Sequence, residues 1–350
     1  MLQMFSQAPL RTVTLSADNG FEVTVADRGA ALTSILVPVR GRRLNMVLAY
    51  ADHRSYLDDP YYLGSTLGRY ANRIHHGRLQ LNGGSYQLAT DPAAGGHCLH
   101  GGPEGFHSQR WTLALAPDRS KLACRYISSH GEQGFPGRLD VAVEYRIVGD
   151  NALVIDYLAS TDRATVVNMA NHAYFNLNGD QSTIKNRAIE KQTIENRTIE
   201  SQTIDNHLLE VSADYYTPTD EALIPTGELA PVQGTAFDFR TPVRIGDRLA
   251  AGEGLDVNLV LDPGDEYIRH AATLRSPDSG VTLKLHTTQA GLQVYSGANL
   301  GAPFRPGAGI CLEAQGFPDA PNKAGFPSTT LAAGETYRQR TVYEFTVEPV

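Results

Sequence analysis

A chain of 350 residues with 41% hydrophobic content can bury a sizeable core, and its net charge of −8 argues against a nucleic-acid partner, which needs a basic stripe. No apolar run approaches the ~18 residues of a membrane span, and the N-terminus lacks the basic flank and apolar stretch of a secretory signal. Three scattered cysteines, Cys98, Cys124 and Cys311, form no CxxC pair, so a disulfide framework or zinc pattern is not expected and a reducing cytoplasm is the default setting.

Period-two alternation dominates the chain. Phe21-Glu22-Val23-Thr24-Val25 reads as the first half-buried strand. Asn82-Gly83-Gly84 joins Leu79-Gln80-Leu81 to Tyr86-Gln87-Leu88 as a hairpin by composition. Trp111 to Leu115 and Leu139 to Tyr145 alternate in the same way, and Val148-Gly149-Asp150-Asn151 turns the second of these into Leu153-Val154-Ile155. From Ser182 to Val211 come three tandem ten-residue units that align Thr183, Thr193 and Thr203, then Ile184, Ile194 and Ile204, then Asn186, Asn196 and Asn206. Three polar decapeptides are too few for a solenoid, so the segment is expected to be an expanded surface loop or extended hairpin, which a domain tolerates cheaply. Val281 to Leu285 alternates again. No long amphipathic helix is evident, and 33 Gly and 19 Pro fit many short antiparallel strands in packed sheets.

Chemistry concentrates in islands. Asn168-Met169-Ala170-Asn171-His172-Ala173-Tyr174-Phe175-Asn176 surrounds a histidine with asparagines and aromatics, the side chains that suit a sugar. About 140 residues later, Cys311-Leu312-Glu313-Ala314-Gln315-Gly316-Phe317-Pro318-Asp319-Ala320-Pro321-Asn322 sets a glutamate at the end of a strand against a turn. A His and a Glu suffice to add one proton and remove another near neutral pH. Taken alone, Glu313 reads as a solvated strand carboxylate and His172 as a core histidine satisfied by amides.

Two further islands, Leu67-Gly68-Arg69-Tyr70-Ala71-Asn72-Arg73-Ile74 and Cys98-Leu99-His100-Gly101-Gly102-Pro103, complete a set of four. In this order and spacing the chain resembles the aldose 1-epimerases, the galactose mutarotases, from about Gly20 to the C-terminus. The resemblance implies an all-β fold, a large antiparallel β-sandwich with few short helices. It also implies a single domain over residues 1–350, with roughly two of the decapeptide units at about 182–211 inserted. It implies Glu313 as catalytic base and His172 as catalytic acid, the latter holding a proton near its unperturbed pKa of ~6.5. Asn72, Arg73, His100, Asp256 and Gln293 are implied as substrate-binding residues, and Arg69 as structural. Two places depart from the family pattern: the flanks of Asp256, and one extra residue in Ser296-Gly297-Ala298-Asn299 after Gln293.

The implied reaction interconverts the α and β anomers of a free aldose such as D-galactose or D-glucose by acid/base ring opening and reclosure. It needs no cofactor and no metal. His75-His76, His97, His100 and His107 are not completed by a carboxylate or Cys in a recognised ligand pattern. The expected partner is a small monosaccharide, with no nucleic acid and no membrane, and the chain is expected to be a monomer or homodimer. A non-catalytic carbohydrate-binding module is an alternative, as is a glycoside hydrolase, which needs two carboxylates about 5–10 Å apart.

Overall fold

Alternating β-branched and polar residues build three large antiparallel sheets and four two-stranded ribbons among the described residues of the computed structural model, which describes residues 9–179, 203–249, 254–262 and 267–348. The largest has nine strands, ordered in space Thr112–Leu115, Lys121–Ser128, Leu139–Val148, Ala152–Thr161, Thr336–Val347, Val281–Thr287, Arg269–Arg275, Leu208–Val211 and Val243–Arg244. A six-stranded sheet runs Tyr174–Phe175, Ile310–Gln315, Gly291–Tyr295, Asp256–Val260, Tyr215–Tyr216 and Ala230–Pro231. An N-terminal four-stranded meander spans Thr12–Ser16 to Arg42–Asn45. The anticipated hairpin is present as Arg78–Leu81 paired with Gly84–Gln87, and the turn after Val148 closes a ten-residue ladder. Helical structure among the described residues is confined to short 3₁₀ turns such as Phe106–Ser108 and Ala320–Asn322. No helix among them is long and apolar enough to cross a membrane.

One continuous core lies between the sheets, because each presents an apolar face every second residue. Leu292, Val294, Leu312 and Ala314 of the six-stranded sheet join Ile155, Leu283, Leu285 and Phe345 of the nine-stranded one and Val23 and Val25 of the meander. Cross-links join the two larger sheets. Gln339 Nε2 donates to the Ala314 carbonyl at 3.0 Å, and the Phe175 and Tyr343 rings meet edge-on at 5.1 Å. This is the β-sandwich the resemblance implies.

Most of the decapeptide repeat, residues 182–202, lies outside the described residues. Its tail is not a surface loop. Leu208–Val211 is a strand of the nine-stranded sheet, paired on both sides, with Leu209 and Val211 fully buried.

Candidate active site

The floor of the site follows from strand register. Antiparallel pairing sets Asn258, Gln293 and Glu313 in one row across three strands, and Asp256, Tyr295, Cys311 and Tyr174 in the next. Side chains two residues apart share a face, so both rows point away from the Leu292/Val294/Leu312 core. Glu313 is not at a strand end or in solvent, as its sequence context suggests. It is the fourth of six residues in Ile310–Gln315 and only 2% exposed.

One wall comes from the short ribbon pairing Arg73–Ile74 with Cys98–Leu99. Asn72 and His100, the residues flanking it, clasp each other. The Asn72 amide donates to His100 Nδ1 at 3.1 Å, and the His100 amide donates to the Asn72 carbonyl at 3.1 Å. Both backbones are left-handed, with φ of 63° and 52°, a conformation non-glycine residues hold only under constraint. Because Nδ1 accepts from a backbone N–H, the neutral His100 ring carries its proton on Nε2 as a fixed donor. The glycine at 101 is required: at φ 89°, a Cβ there would lie 2.0 Å from the Gly68 carbonyl oxygen.

His172 rides on a segment fixed at both edges. Its amide donates to the Ser65 carbonyl at 2.9 Å, and its carbonyl accepts from the Gly64 amide at 3.0 Å. The asparagines of its island do not face a sugar; they cross-link backbone. Asn171 Nδ2 donates to the Gly64 carbonyl, and Asn176 Nδ2 donates to that of Ala308. Asn168 accepts from the Gly316 amide at 2.7 Å and donates back to the Gly316 carbonyl, tying the histidine island to the end of Glu313's strand. Phe175 lies in the core, and only Tyr174 of the island's aromatics reaches the pocket. Arg69 is wholly buried, its guanidinium donating to the Pro136 and Gly137 carbonyls and to Ser128 Oγ.

All seven residues singled out in the sequence line one pocket of ≈ 160 Å³: Asn72, Arg73, His100, His172, Asp256, Gln293 and Glu313. That volume is below the range of drug-sized sites and suits one small polar molecule. His172 Nε2 and Glu313 Oε1 are 3.7 Å apart. Gln293 Nε2 donates to Asp256 Oδ1 at 2.5 Å, which leaves Gln293 Oε1 buried without a partner, as is Glu313 Oε2.

The sequence reading missed seven other lining residues, Pro60, Tyr61, Tyr62, Leu99, Tyr174, Tyr295 and Asn299. Tyr295 was findable, since it is two residues from Gln293 on the same face. Asn299 follows the extra residue in its loop, and its amide donates to Tyr295 Oη at 2.9 Å, so the altered loop borders the pocket. Tyr62 carried no signal. Its ring packs edge-on against His100 and His107, at 4.7 Å from each, and lies 5.7 Å from His172. Half-buried Asp59 fixes that loop, accepting from the Tyr61 and Leu63 amides.

Burial sets the protonation of the site, because removing water disfavours whichever form is charged. It pushes Glu313 well above the usual carboxylate range, with the Asp256 charge adding to the rise and Arg73 opposing it. Burial lowers His172 to about 4, against the expectation of an unperturbed value near neutrality. Asp256 is also raised by burial, opposed by Arg73 and the Gln293 hydrogen bond. Burial lowers His100 well below the usual histidine range, with His172 and Arg73 adding to the fall. Burial thus pushes the two members of the His172–Glu313 pair in opposite directions, the glutamate toward its protonated form and the histidine toward its neutral one.

Two groups of potential metal ligands occur among the described residues. Exposed His75 and His76 converge with buried His97, and buried Cys311 lies beside His172 and Glu313 of the pocket; in each group one donor atom per residue lies within 4.8 Å of the others.

Comparison with known proteins agrees with this geometry. The aldose 1-epimerase family profile matches residues 11–344. The aldose 1-epimerase of Escherichia coli (strain K12) is 36% identical over 356 aligned positions, covering 97% of this chain and 96% of that protein. The galactose mutarotase of Homo sapiens is 37% identical over 336, covering 93% and 91%. Among solved structures, the GalM/aldose epimerase homologue from C. elegans superposes with a TM-score of 0.86 at 26% identity, covering 97% of this chain and all of that one. Galactose 1-epimerase from Lactobacillus acidophilus NCFM gives 0.81 at 28% identity, covering 97% and 95%. Its paired His and Glu, its pocket for one small molecule and these likenesses over nearly its whole length agree: the chain belongs to the aldose 1-epimerase family.

Proposed function

We propose that this aldose 1-epimerase opens and recloses the ring of a free monosaccharide with Glu313 as base and His172 as acid. The observation that carries these roles is the 3.7 Å separation of His172 Nε2 and Glu313 Oε1 over a pocket floor with unpaired buried acceptors. The hydroxyl to be deprotonated and the ring oxygen to be protonated are bonded to the same carbon, C1. An acid and a base serving both must themselves be neighbours. A glycoside hydrolase needs its two carboxylates about 5–10 Å apart to flank a bond, and a histidine this close to the glutamate does not suit that chemistry.

Glu313 takes the proton of the C1 hydroxyl while His172 delivers one to the ring oxygen. The C1–O5 bond breaks, and C1 becomes an aldehyde. Rotation about C1–C2 turns the other carbonyl face toward the hydroxyl, and closure returns each proton to its donor, so no net charge moves. The reactive arrangement is ionised Glu313 beside protonated His172, the two charged forms that burial disfavours. Sugar hydroxyls donating to Glu313, and the ring oxygen accepting from His172, favour that arrangement when the pocket fills. His100 Nε2–H and Arg73 hold the ring oxygen and adjacent hydroxyls. Arg73 offers a fork for two oxygens, while Asp256, Gln293 and Asn72 bind the remainder. D-galactose and D-glucose are the substrates we favour. We read the chain as one domain acting as a monomer or homodimer in a cytoplasm, where its three free, buried cysteines stay reduced.

Polarimetry on freshly dissolved α-D-galactose and α-D-glucose tests this. Wild type should speed the approach to anomeric equilibrium, and folded Glu313→Gln and His172→Asn should lose the acceleration. Sugar binding without acceleration by wild type would instead indicate a binding module.

A further inference from the structure

His172 is held at both ring nitrogens, from opposite sides. Its Nε2 faces the pocket, 3.7 Å from Glu313 Oε1, and its Nδ1 lies 3.5 Å from Cys311 Sγ. Contacts from opposite nitrogens bracket a ring; they do not surround an ion. Cys311 does not line the pocket. It is fully buried in a separate apolar cluster with Leu48, Leu63, Tyr174 and Leu300.

Donors and acceptors there leave one arrangement of protons. The Tyr174 hydroxyl donates its single proton to the Tyr61 carbonyl at 3.1 Å, because a carbonyl only accepts. Cys311, the cross-strand partner of Tyr174, hydrogen bonds that hydroxyl as well. With the tyrosine proton already spent, the thiol is the donor of this second bond, and burial keeps it a thiol by pushing its pKa up. Toward His172 the sulfur then offers only lone pairs, so Nδ1 carries the proton between them. The His172 carbonyl is hydrogen-bonded by its own ring and can only accept, which calls for the same Nδ1–H.

We propose that Cys311 is a positioning residue for His172: its sulfur, with its own proton turned to Tyr174, accepts from Nδ1–H and so holds the neutral ring with its Nε2 lone pair toward Glu313 and the sugar. The acid–base roles proposed above, on which this rests, need that tautomer. His172 delivers a proton from Nε2 to the ring oxygen and recovers one there on reclosure, while Nδ1–H stays on the sulfur side. In the other tautomer the lone pair would face the sulfur, and the ring could not take a proton back from the sugar. Sulfur is a weak acceptor. It orients the ring without stabilising the imidazolium as a carboxylate would, which leaves His172 a ready proton donor.

Long-range proton–nitrogen NMR of the full-length protein with labelled histidine reads the ring directly, the His172 signals being those absent from His172→Asn. Wild type with neutral His172 should show a protonated Nδ1 and an unprotonated Nε2. Tyr174→Phe removes the thiol's acceptor and frees its proton to turn to Nδ1, so the ring should shift toward Nε2–H. Cys311→Ala should mix the tautomers and lower kcat by roughly 10–100-fold, the scale seen when a histidine loses its outer partner at a metal site, with KM nearly unchanged. Cys311→Ser, whose hydroxyl can accept and donate in the same two directions, should recover most of kcat. A wild-type ring protonated on Nε2, undiminished kcat in Cys311→Ala, or a loss in Cys311→Ser as deep as in Cys311→Ala would each overturn the proposal. Should Cys311→Ala fail to fold, the wild-type and Tyr174→Phe spectra decide. The expected tautomer in a chain that never accelerates mutarotation would sink the acid–base roles and leave the Cys311–His172 bond standing.

Discussion

Glu144 and Glu313 look alike in sequence and have opposite situations in the fold. Each sits inside an antiparallel strand between apolar residues, Val143 and Tyr145 for one and Leu312 and Ala314 for the other. Glu144, on the nine-stranded sheet, has a side chain 24% exposed, facing Lys121 Nζ at 3.6 Å. Glu313 is buried, with one carboxylate oxygen near His172 and the other unpaired. Alternation decides which face a side chain takes, and the layer across from that face decides what the side chain does. Water lies beyond Glu144; a wall of histidines and tyrosines lies beyond Glu313.

The sharpest way to break that comparison is to neutralise both carboxylates. Glu313→Gln is expected to lower the catalysed rate by about 10²–10⁴-fold, the usual worth of a positioned proton-transfer group. It should cost no stability, because an amide is easier to bury than a carboxylate. Glu144→Gln should leave the rate unchanged and stability within about 0.5 kcal/mol, since an exposed ion pair contributes little. Polarimetry beside urea denaturation reads both. A rate loss in Glu144→Gln would mean that the two sheets are coupled in a way their separate faces do not suggest. Leu312, one residue from Glu313 on the opposite face, supplies the converse. Leu312→Ala should lose about 2–5 kcal/mol of stability by opening a cavity in the shared core.

Much of this difference was legible in the strands and little of it in what covers them. Period-two patterning located Leu139–Val148, Val281–Thr287 and the hairpin at Asn82-Gly83. The matched islands, with Asp256 and Gln293 implied by the resemblance between them, pointed to seven of the fourteen residues that line the pocket. Patterning did not reveal that Asn168, Asn171 and Asn176 spend their amides on backbone, because an asparagine's partner depends on which chain passes nearby. Tyr62 was invisible for the same reason. It is positioned by Asp59 and reaches His100 and His172 only through the fold. The lowering of His172 also belongs to burial, which no local motif reports.

Buried histidines extend the contrast to pH. His172 and His207 are nearly inaccessible, and burial lowers each to about 4. Their unfolded values are near ~6.5, so between those limits the unfolded chain binds more protons and stability falls as pH falls. Each histidine accounts for about 3 kcal/mol by pH 4, at ~1.4 kcal/mol per pH unit. Glu313 acts with the opposite sign. Its folded pKa is raised, so the folded chain binds the extra proton above the normal carboxylate value, and its contribution declines as pH rises. Urea midpoints measured from pH 7.5 down to 5 should fall, and His207→Gln should flatten the slope by one histidine's share. A midpoint that held steady over this range would mean that these histidines are hydrated in solution.

The smallest expected effect tests how finely neighbouring charges tune the pocket. The Asp256 charge adds to the raising of Glu313, while Gln293 holds Asp256 at 2.5 Å. Asp256→Asn removes that like charge and should bring Glu313 back toward the ordinary carboxylate range. If ionised Glu313 is the base, the acid limb of kcat/KM must then move to lower pH, even as the lost hydroxyl contact raises KM. A mere loss of binding would lower kcat/KM at every pH without displacing the limb. A limb that moved upward would reverse the sign of the Asp256–Glu313 interaction, and with it the reason Glu313 differs from a strand carboxylate such as Glu144.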